Sequence, residues 1–303
     1  MALDEPGRPE RSERLEQSGR LEQLERYYDA VPRPGARAED FGPLTLFVRE
    51  GQGWPYYARP TLGWTGREAT ADDVRRVLAR QRELGAPESF EWVAETTPGL
   101  RTVVEAAGLT VHEHPLMALV AEPDPDGPRS RPAASVTVGV LAADDPALPS
   151  AVAVPNLAFA DRGTGIGTAG PTELDEAVAA CLADGAVERI ADRIRAGLTV
   201  QAAAVEDGVA LCAGQHQPVG AVTEIVGVGT LPAARRRSLA QAVTAALVAD
   251  AREHGVTTVF LSADSEDVAR IYARLGFRRV ATALIAEPAE SAAPAPTTAP
   301  DEQ

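Results

Sequence analysis

Residues 222–240, VTEIVGVGTLPAARRRSLA, run a strand, a tight turn and a basic helix start together. The span 222–230 is rich in β-branched residues, Pro232 ends it, and apolar residues then recur at helical spacing at Leu239, Val243, Ala246, Leu247 and Ala251. This spacing predicts a helix over 235–254 that begins near Arg235. The first turn of such a helix leaves backbone N–H groups unpaired and carries roughly half a positive charge from its aligned peptide dipoles. With Arg235, Arg236 and Arg237 beside it, the junction suits a pyrophosphate.

The stretch resembles motif A of the GNAT superfamily, the acyl-CoA-dependent N-acyltransferases. That motif reads Arg or Gln, two residues, Gly, one residue, then Gly or Ala, and Arg235, Ser238 and Ala240 hold those places. Ser238 departs from the pattern by putting a Cβ and a hydroxyl where backbone meets phosphate, which implies weakened binding or a small shift. The elements that follow arrive in the family's order: an apolar strand (257–263, TTVFLSA), a short helix (265–275, SEDVARIYARL) stopped by Gly276, and a last strand (277–286, FRRVATALIA). The run IYARLGFRRV resembles motif B, with Ser265 where the family often has Asn. The resemblance covers about residues 135–288 and implies an α/β fold (α+β, mixed sheet) of the GNAT acyl-CoA N-acyltransferase type.

In that frame 136–141 is the first strand, 150–160 and 174–197 are the next two helices, and 198–205 with 209–216 form a hairpin. The strand carrying Glu224 is then the fourth, which the family splays from the fifth to make a V-shaped cleft. The resemblance implies acetyl-CoA as cosubstrate, with pantetheine along Val226, Val228, Gly229 and Thr230. It places the pyrophosphate at Arg235, Arg236, Arg237, Ser238, Leu239, Ala240 and Gln241, with Ser265 nearby.

Composition narrows the class. A chain of 303 residues can bury a sizeable core and is expected to form two domains. No apolar run approaches a membrane span, and MALDEPGRPERSERLEQ lacks an apolar signal core, so a soluble cytoplasmic protein is expected. Cys181 and Cys212 are too few for a disulfide framework or zinc site and read as buried, reduced thiols. A net charge of −15 argues against nucleic-acid or anionic-membrane partners and favours a cationic amine. All 29 basic residues are Arg, so side-chain phosphate contacts must be guanidinium forks. With the abundant Ala, Pro and Gly, this composition suggests a high-GC bacterial genome.

Shifts in composition divide the chain into a charged N-terminal helix and loop (1–37), a first folded part (38–121), a Pro- and Asp-rich linker (122–133), a second folded part (134–287) and a low-complexity, disordered tail (288–303). The first part repeats the element order of the second from residue 222 onward, and VEAAGLTVHEHPLMALV echoes YARLGFRRVATALIAEP. Its helix entry, TGREATADDVRR, places Asp72 and Asp73 where phosphate would be repelled. It reads as a degenerate, half-length GNAT-like domain packed against the active one.

Acyl transfer to an amine requires that an ammonium lose a proton. A Lys-like amine with a pKa of about 10.4 is neutral in roughly one molecule in a few thousand at pH 7. Glu224, in a TEIV sequence that resembles the AEIV of histone-acetylating members, is the candidate general base; its apolar flanks should raise its pKa toward neutrality. Tyr272 in motif B is the candidate acid for the departing thiolate. Either could instead be structural, Glu224 as a strand-edge carboxylate and Tyr272 as a core aromatic.

Three further features carry less. Gly165, Gly167 and Gly170 spell GxGxxG but follow a helix rather than a strand, which fits a flexible loop over the acceptor site better than a dinucleotide site. His112 and His114 share a strand face without a third ligand nearby, so no metal is expected. His216 either lines the acceptor pocket or belongs to a polar turn. The expected activity is direct acetyl transfer from acetyl-CoA to a small-molecule or peptide amine, by a monomer or homodimer. The alternatives are a non-catalytic acyl-CoA-binding or regulatory protein, and a protein side-chain acetyltransferase.

Overall fold

A computed structural model describes residues 8–53, 56–120 and 132–289. Most of the expected linker and tail therefore lie outside the described residues. The N-terminal half runs α1 (Arg8–Ala30), β1 (Ala36–Asp40), β2 (Leu44–Arg49), β3 (Ala58–Pro60), α2 (Ala71–Glu83), β4 (Phe90–Val93), α3 (Leu100–Ala106) and β5 (Leu109–Leu119). The second half runs β6 (Val136–Leu141), α4 (Leu148–Ala160), α5 (Pro171–Ala183), α6 (Ala186–Arg195), β7 (Val200–Glu206), β8 (Val209–Val219) and β9 (Val222–Thr230). It continues with α7 (Leu239–Glu253), β10 (Thr258–Ser262), α8 (Glu266–Ala273) and β11 (Phe277–Pro288).

All eleven strands form one mixed sheet in the order β1-β2-β3-β4-β11-β5-β10-β9-β8-β7-β6. The two halves interlock: β5, the last strand of the first half, lies between β10 and β11 of the second, antiparallel to both, while β11 pairs on its other side with β4. The single sheet is therefore continuous only because each half lends a strand to the other.

The strands around β9 shape the site. β9 runs parallel to β10 through only three pairs, Thr258↔Val222, Val259↔Thr223 and Phe260↔Glu224. Both strands continue past that point, and β10 stays paired to β5 through Ser262 while its β9 side is open. On the other flank, β9 pairs with β8 across an irregularity: Gln215↔Val226 gives way to Ala213↔Gly229, so β9 carries one residue more than β8 there. Gly227 lies in it at φ 65°, a conformation glycine adopts without a Cβ clash. Such a bulge bends its strand and strengthens the local twist. Beyond it, α4 presses so closely on β9 that a Cβ on Gly229 would lie 2.8 Å from the Pro155 Cα.

Pro155 sits inside α4 and cannot donate to the Ala151 carbonyl. The buried Gln201 side chain on β7 donates there instead, at 3.4 Å. The charged N-terminal helix is also part of the core. Leu21, Leu24, Tyr27 and Tyr28 of α1 pack on Val93, Leu116, Ala118, Val222, Phe260, Ala281 and Ala283, spanning strands of both halves. At about 1.5–3 kcal/mol per fully buried large apolar side chain, this face ties the halves together.

Three local expectations need correction. The helix predicted from Arg235 starts at Leu239, because residues 232–234 form a 3-10 turn behind Pro232, and Arg236 and Ser238 then take positive φ. The helix predicted over 174–197 is two, broken at Gly185 with φ 74°. Part of the expected 1–37 loop is strand β1, paired along its length with β2.

Candidate functional site

The turn before α7 separates the three arginines. Arg235 is buried, and its guanidinium donates to the Gly165 carbonyl at 3.0 Å, the Ala158 carbonyl at 3.1 Å, the Asp161 carboxylate at 3.3 Å and the Asp161 carbonyl. It thus satisfies carbonyls at the C-terminal end of α4, which a helix leaves unpaired, and pins the following loop. Arg237 pairs with Glu206 at 2.7 Å. Arg236 is exposed and has no hydrogen-bond or ion-pair partner among the described residues. Leu239 is buried in the core and Ala240 packs against it, so α7 offers an anion its first backbone N–H groups and the Arg236 guanidinium.

Ser238 is the N-cap of α7, with φ 62° and no side-chain cap bond. The matching helix start of the first half is closed. Thr70 and Asp73 cap α2 reciprocally, and the Asp73 carboxylate accepts from the Thr70 N–H at 2.9 Å and from the Arg67 and Arg76 side chains. Arg67 above all holds that carboxyl far below the usual range. A phosphate would find its place already filled by a carboxylate. At Ser238 a left-handed backbone strains any residue with a Cβ, while glycine frees the unfolded chain, so Ser238→Gly is expected to stabilise the fold by about 0.5–1 kcal/mol. A lower denaturation midpoint would mean that the serine makes a contact the turn needs.

The loop spelling GxGxxG is packed, not free. Gly167 N–H donates to the Pro232 carbonyl at 3.1 Å and Ala233 N–H to the Ala169 carbonyl at 3.0 Å. A Cβ on Gly167 would fall 1.9 Å from Asp161 Oδ2, so glycine is needed there.

Tyr272 projects from α8 into the main core, edge-on to Phe277 with ring centroids 6.1 Å apart. No protein group among the described residues hydrogen-bonds its hydroxyl. Burial pushes its pKa well above the ordinary phenol value, with Cys212 adding to the rise. Cys212 itself accepts a hydrogen bond from the Thr230 hydroxyl at 3.2 Å, and burial pushes its thiol up to about 12. A thiol so hard to ionise is no nucleophile near neutral pH. The hydroxyl of Ser265 is occupied as N-cap of α8, accepting from the Val268 N–H at 3.4 Å.

Glu224 lies at the last paired position before β9 leaves β10. The Tyr28 hydroxyl donates to its Oε1 at 3.2 Å, and its backbone N–H donates to the Tyr27 hydroxyl at 3.1 Å, which in turn donates to the Gln217 carbonyl at 2.7 Å. The Glu224 side chain is largely enclosed by protein and keeps partial contact with solvent. Its pKa is raised to about 8, by burial first and by the Glu91 carboxylate second, against the opposing effects of Arg59 and the Tyr28 hydrogen bond.

Sequence reasoning missed Tyr27, Tyr28, Arg59 and Glu91. The one available signal was a tyrosine pair ending an otherwise charged helix. His216 is neither in a turn nor in a pocket: buried on β8, it contacts the Thr223 hydroxyl at 2.9 Å and the Asp250 carboxylate of α7 at 2.9 Å. Among the described residues no group of His, Cys, Asp or Glu is arranged to hold a metal ion, and no helix is long and apolar enough to cross a membrane.

A mixed sheet whose fourth strand of the second half parts from the fifth beside an uncapped helix start is the GNAT arrangement. The model of the acetyltransferase (GNAT) family matches residues 183–277, which hold Glu224, the turn before α7 and Tyr272. No curated protein matches the chain. Among solved structures, a GCN5-related N-acetyltransferase from Kribbella flavida is 24% identical, with a TM-score of 0.62 over 89% of this chain and 96% of that one. A tandem GNAT protein from the clavulanic acid biosynthesis pathway is 17% identical, with a TM-score of 0.51 over 82% and 80%. A GCN5-related N-acetyltransferase-like protein from Streptococcus suis is 13% identical, with a TM-score of 0.50 over 89% and 99%. Residues 183–277 thus match the GNAT acetyltransferase family, and the solved structures show GNAT-like folds across both halves.

Proposed function

We propose that this chain transfers an acetyl group from acetyl-CoA to a cationic amine by direct attack in a ternary complex. The reading rests on one observation above all: β9 and β10 separate at Glu224, so a carboxylate stands at the apex of the opening while Arg236 and the uncapped start of α7 stand at its far end. The residues present fit acetyl-CoA. Val226, Val228 and Thr230 offer backbone along the opening, the first N–H groups of α7 with Arg236 suit the pyrophosphate, and the thioester supplies the activated acyl group. Glu224 takes one proton from the bound ammonium, the nitrogen bonds to the acyl carbon as the carbon–sulfur bond breaks, and the nitrogen's second proton passes to the departing thiolate. With its phenol less acidic than usual, Tyr272 steadies the departing sulfur by donating a hydrogen bond. The inert Cys212 thiol beside it gives no reason to invoke an acyl-cysteine intermediate.

The net charge of −15 favours a cation in a soluble, cytoplasmic setting. A second reading, a binding protein without turnover, draws on the buried Arg235 and on Ser238.

Two measurements separate the readings. Acetyl-CoA at a hundredfold excess over its dissociation constant should stabilise the fold by about 2.7 kcal/mol; no shift in melting temperature would count against both. Thiol release across a panel of amines, amino acids and peptides should then reveal turnover, and its absence throughout would favour the binding protein. On a substrate that turns over, Tyr272→Phe is expected to lower the rate by about one to two orders of magnitude with acetyl-CoA affinity nearly unchanged. Full activity would reject its role at the sulfur; early melting with poor binding would make it a core residue.

A further inference from the structure

Glu224 belongs to the half that matches the family, yet every side chain that hydrogen-bonds or electrostatically biases its carboxylate comes from the other half. Tyr28 of α1 donates to Oε1 at 3.2 Å. The Arg59 guanidinium of β3 stacks on the Tyr28 ring at 4.0 Å and donates from Nη1 to the Glu91 carboxylate of β4 at 2.8 Å. Its Nη2 is buried without a hydrogen-bond partner among the described residues, so part of that cation remains unspent inside the cluster. Glu25 of α1 acts on Arg59, and Arg193 of α6, which donates to the Leu198 carbonyl, acts electrostatically on the Tyr27 phenol. On the opposite face of the sheet, His216 and Asp250 bond to each other and not to Glu224.

We propose that the N-terminal half completes the acyl-transfer site: Tyr28 aims the Glu224 carboxylate, and the Arg59–Glu91 pair sets its charge, as positioning residues supplied from outside the family-matching segment. The inference rests on the reading of Glu224 as base. It gives the degenerate half a task that needs no acyl-CoA site of its own, in keeping with the self-capped start of α2. It also accounts for charged groups buried under α1, where apolar residues alone would pack without a desolvation cost.

The two neighbours act with opposite sign. A hydrogen bond to the ionised form favours ionisation, and a nearby like charge opposes it. Full-length protein labelled with 13C at the glutamate carboxyls, with Glu224 assigned by the resonance lost in Glu224→Gln, reports the titration directly. Tyr28→Phe is expected to raise the midpoint and Glu91→Gln to lower it, by about a unit each. The alkaline-rising limb of acetyl transfer should move the same way in each variant. A merely structural role would leave the midpoint unmoved, or move it in one direction for both through general loosening, and either result overturns the proposal. If Glu91→Gln does not fold, an unmoved midpoint in the near-isosteric Tyr28→Phe overturns it alone. Opposite shifts together with an undiminished rate in Glu224→Gln would reject the base assignment and leave the charge cluster standing. Absent shifts with an inactive Glu224→Gln would reject the cluster only.

Discussion

Glu224→Gln is expected to lower acetyl transfer by about a hundredfold or more while leaving the stabilisation by acetyl-CoA unchanged. The amide keeps the shape of the side chain and cannot take a proton. In the wild type the carboxyl is raised to about 8, so the active, ionised form gains population as pH rises, and kcat/KM should climb from pH 6.5 toward 9. Stability runs the other way. Between the ordinary value of 4.5 and about 8, the folded protein keeps a proton that the unfolded chain has released. Stability linked to this group is therefore fully present below the ordinary value and is lost as pH rises through the folded one. Glu224→Gln does not titrate, so its melting temperature relative to wild type should increase from pH 5 to pH 9. An unchanged rate would reject the base role, and a difference that falls with pH would reject the raised pKa.

Arg235→Ala should cost about 3 kcal/mol of stability, because it strips donors from buried carbonyls at the end of α4 and from the loop beyond. For a chain of this size that is roughly a 6–12 °C fall in melting temperature. Lysine is expected to rescue little, since one ammonium cannot reproduce the guanidinium's fixed fork toward acceptors on three residues. Unchanged stability with a large loss of acetyl-CoA affinity would show that the side chain leaves its strut to hold phosphate, as the motif resemblance implies.

The sequence by itself determined the order and type of the elements around β9, α7, β10, α8 and β11, because period-2 and period-3.6 patterning and the breaks at Pro232 and Gly276 act over a few residues. It also marked Glu224 and Tyr272, since a motif is local spacing. Even within motif A, a positive φ at Arg236 and Ser238 delayed the helix to Leu239, a backbone choice that residue identity did not announce. The tertiary structure decided what lies far apart along the chain. It placed β5 between β10 and β11, folded a charged helix onto the seam, and set the Arg235 guanidinium against the carbonyls of Ala158 and Gly165. The Tyr28–Glu224 contact joins residues 196 apart. No periodicity or motif encodes such a pair, because its partners are selected by which faces the whole sheet buries together, and the charge that Glu224 carries follows from that burial.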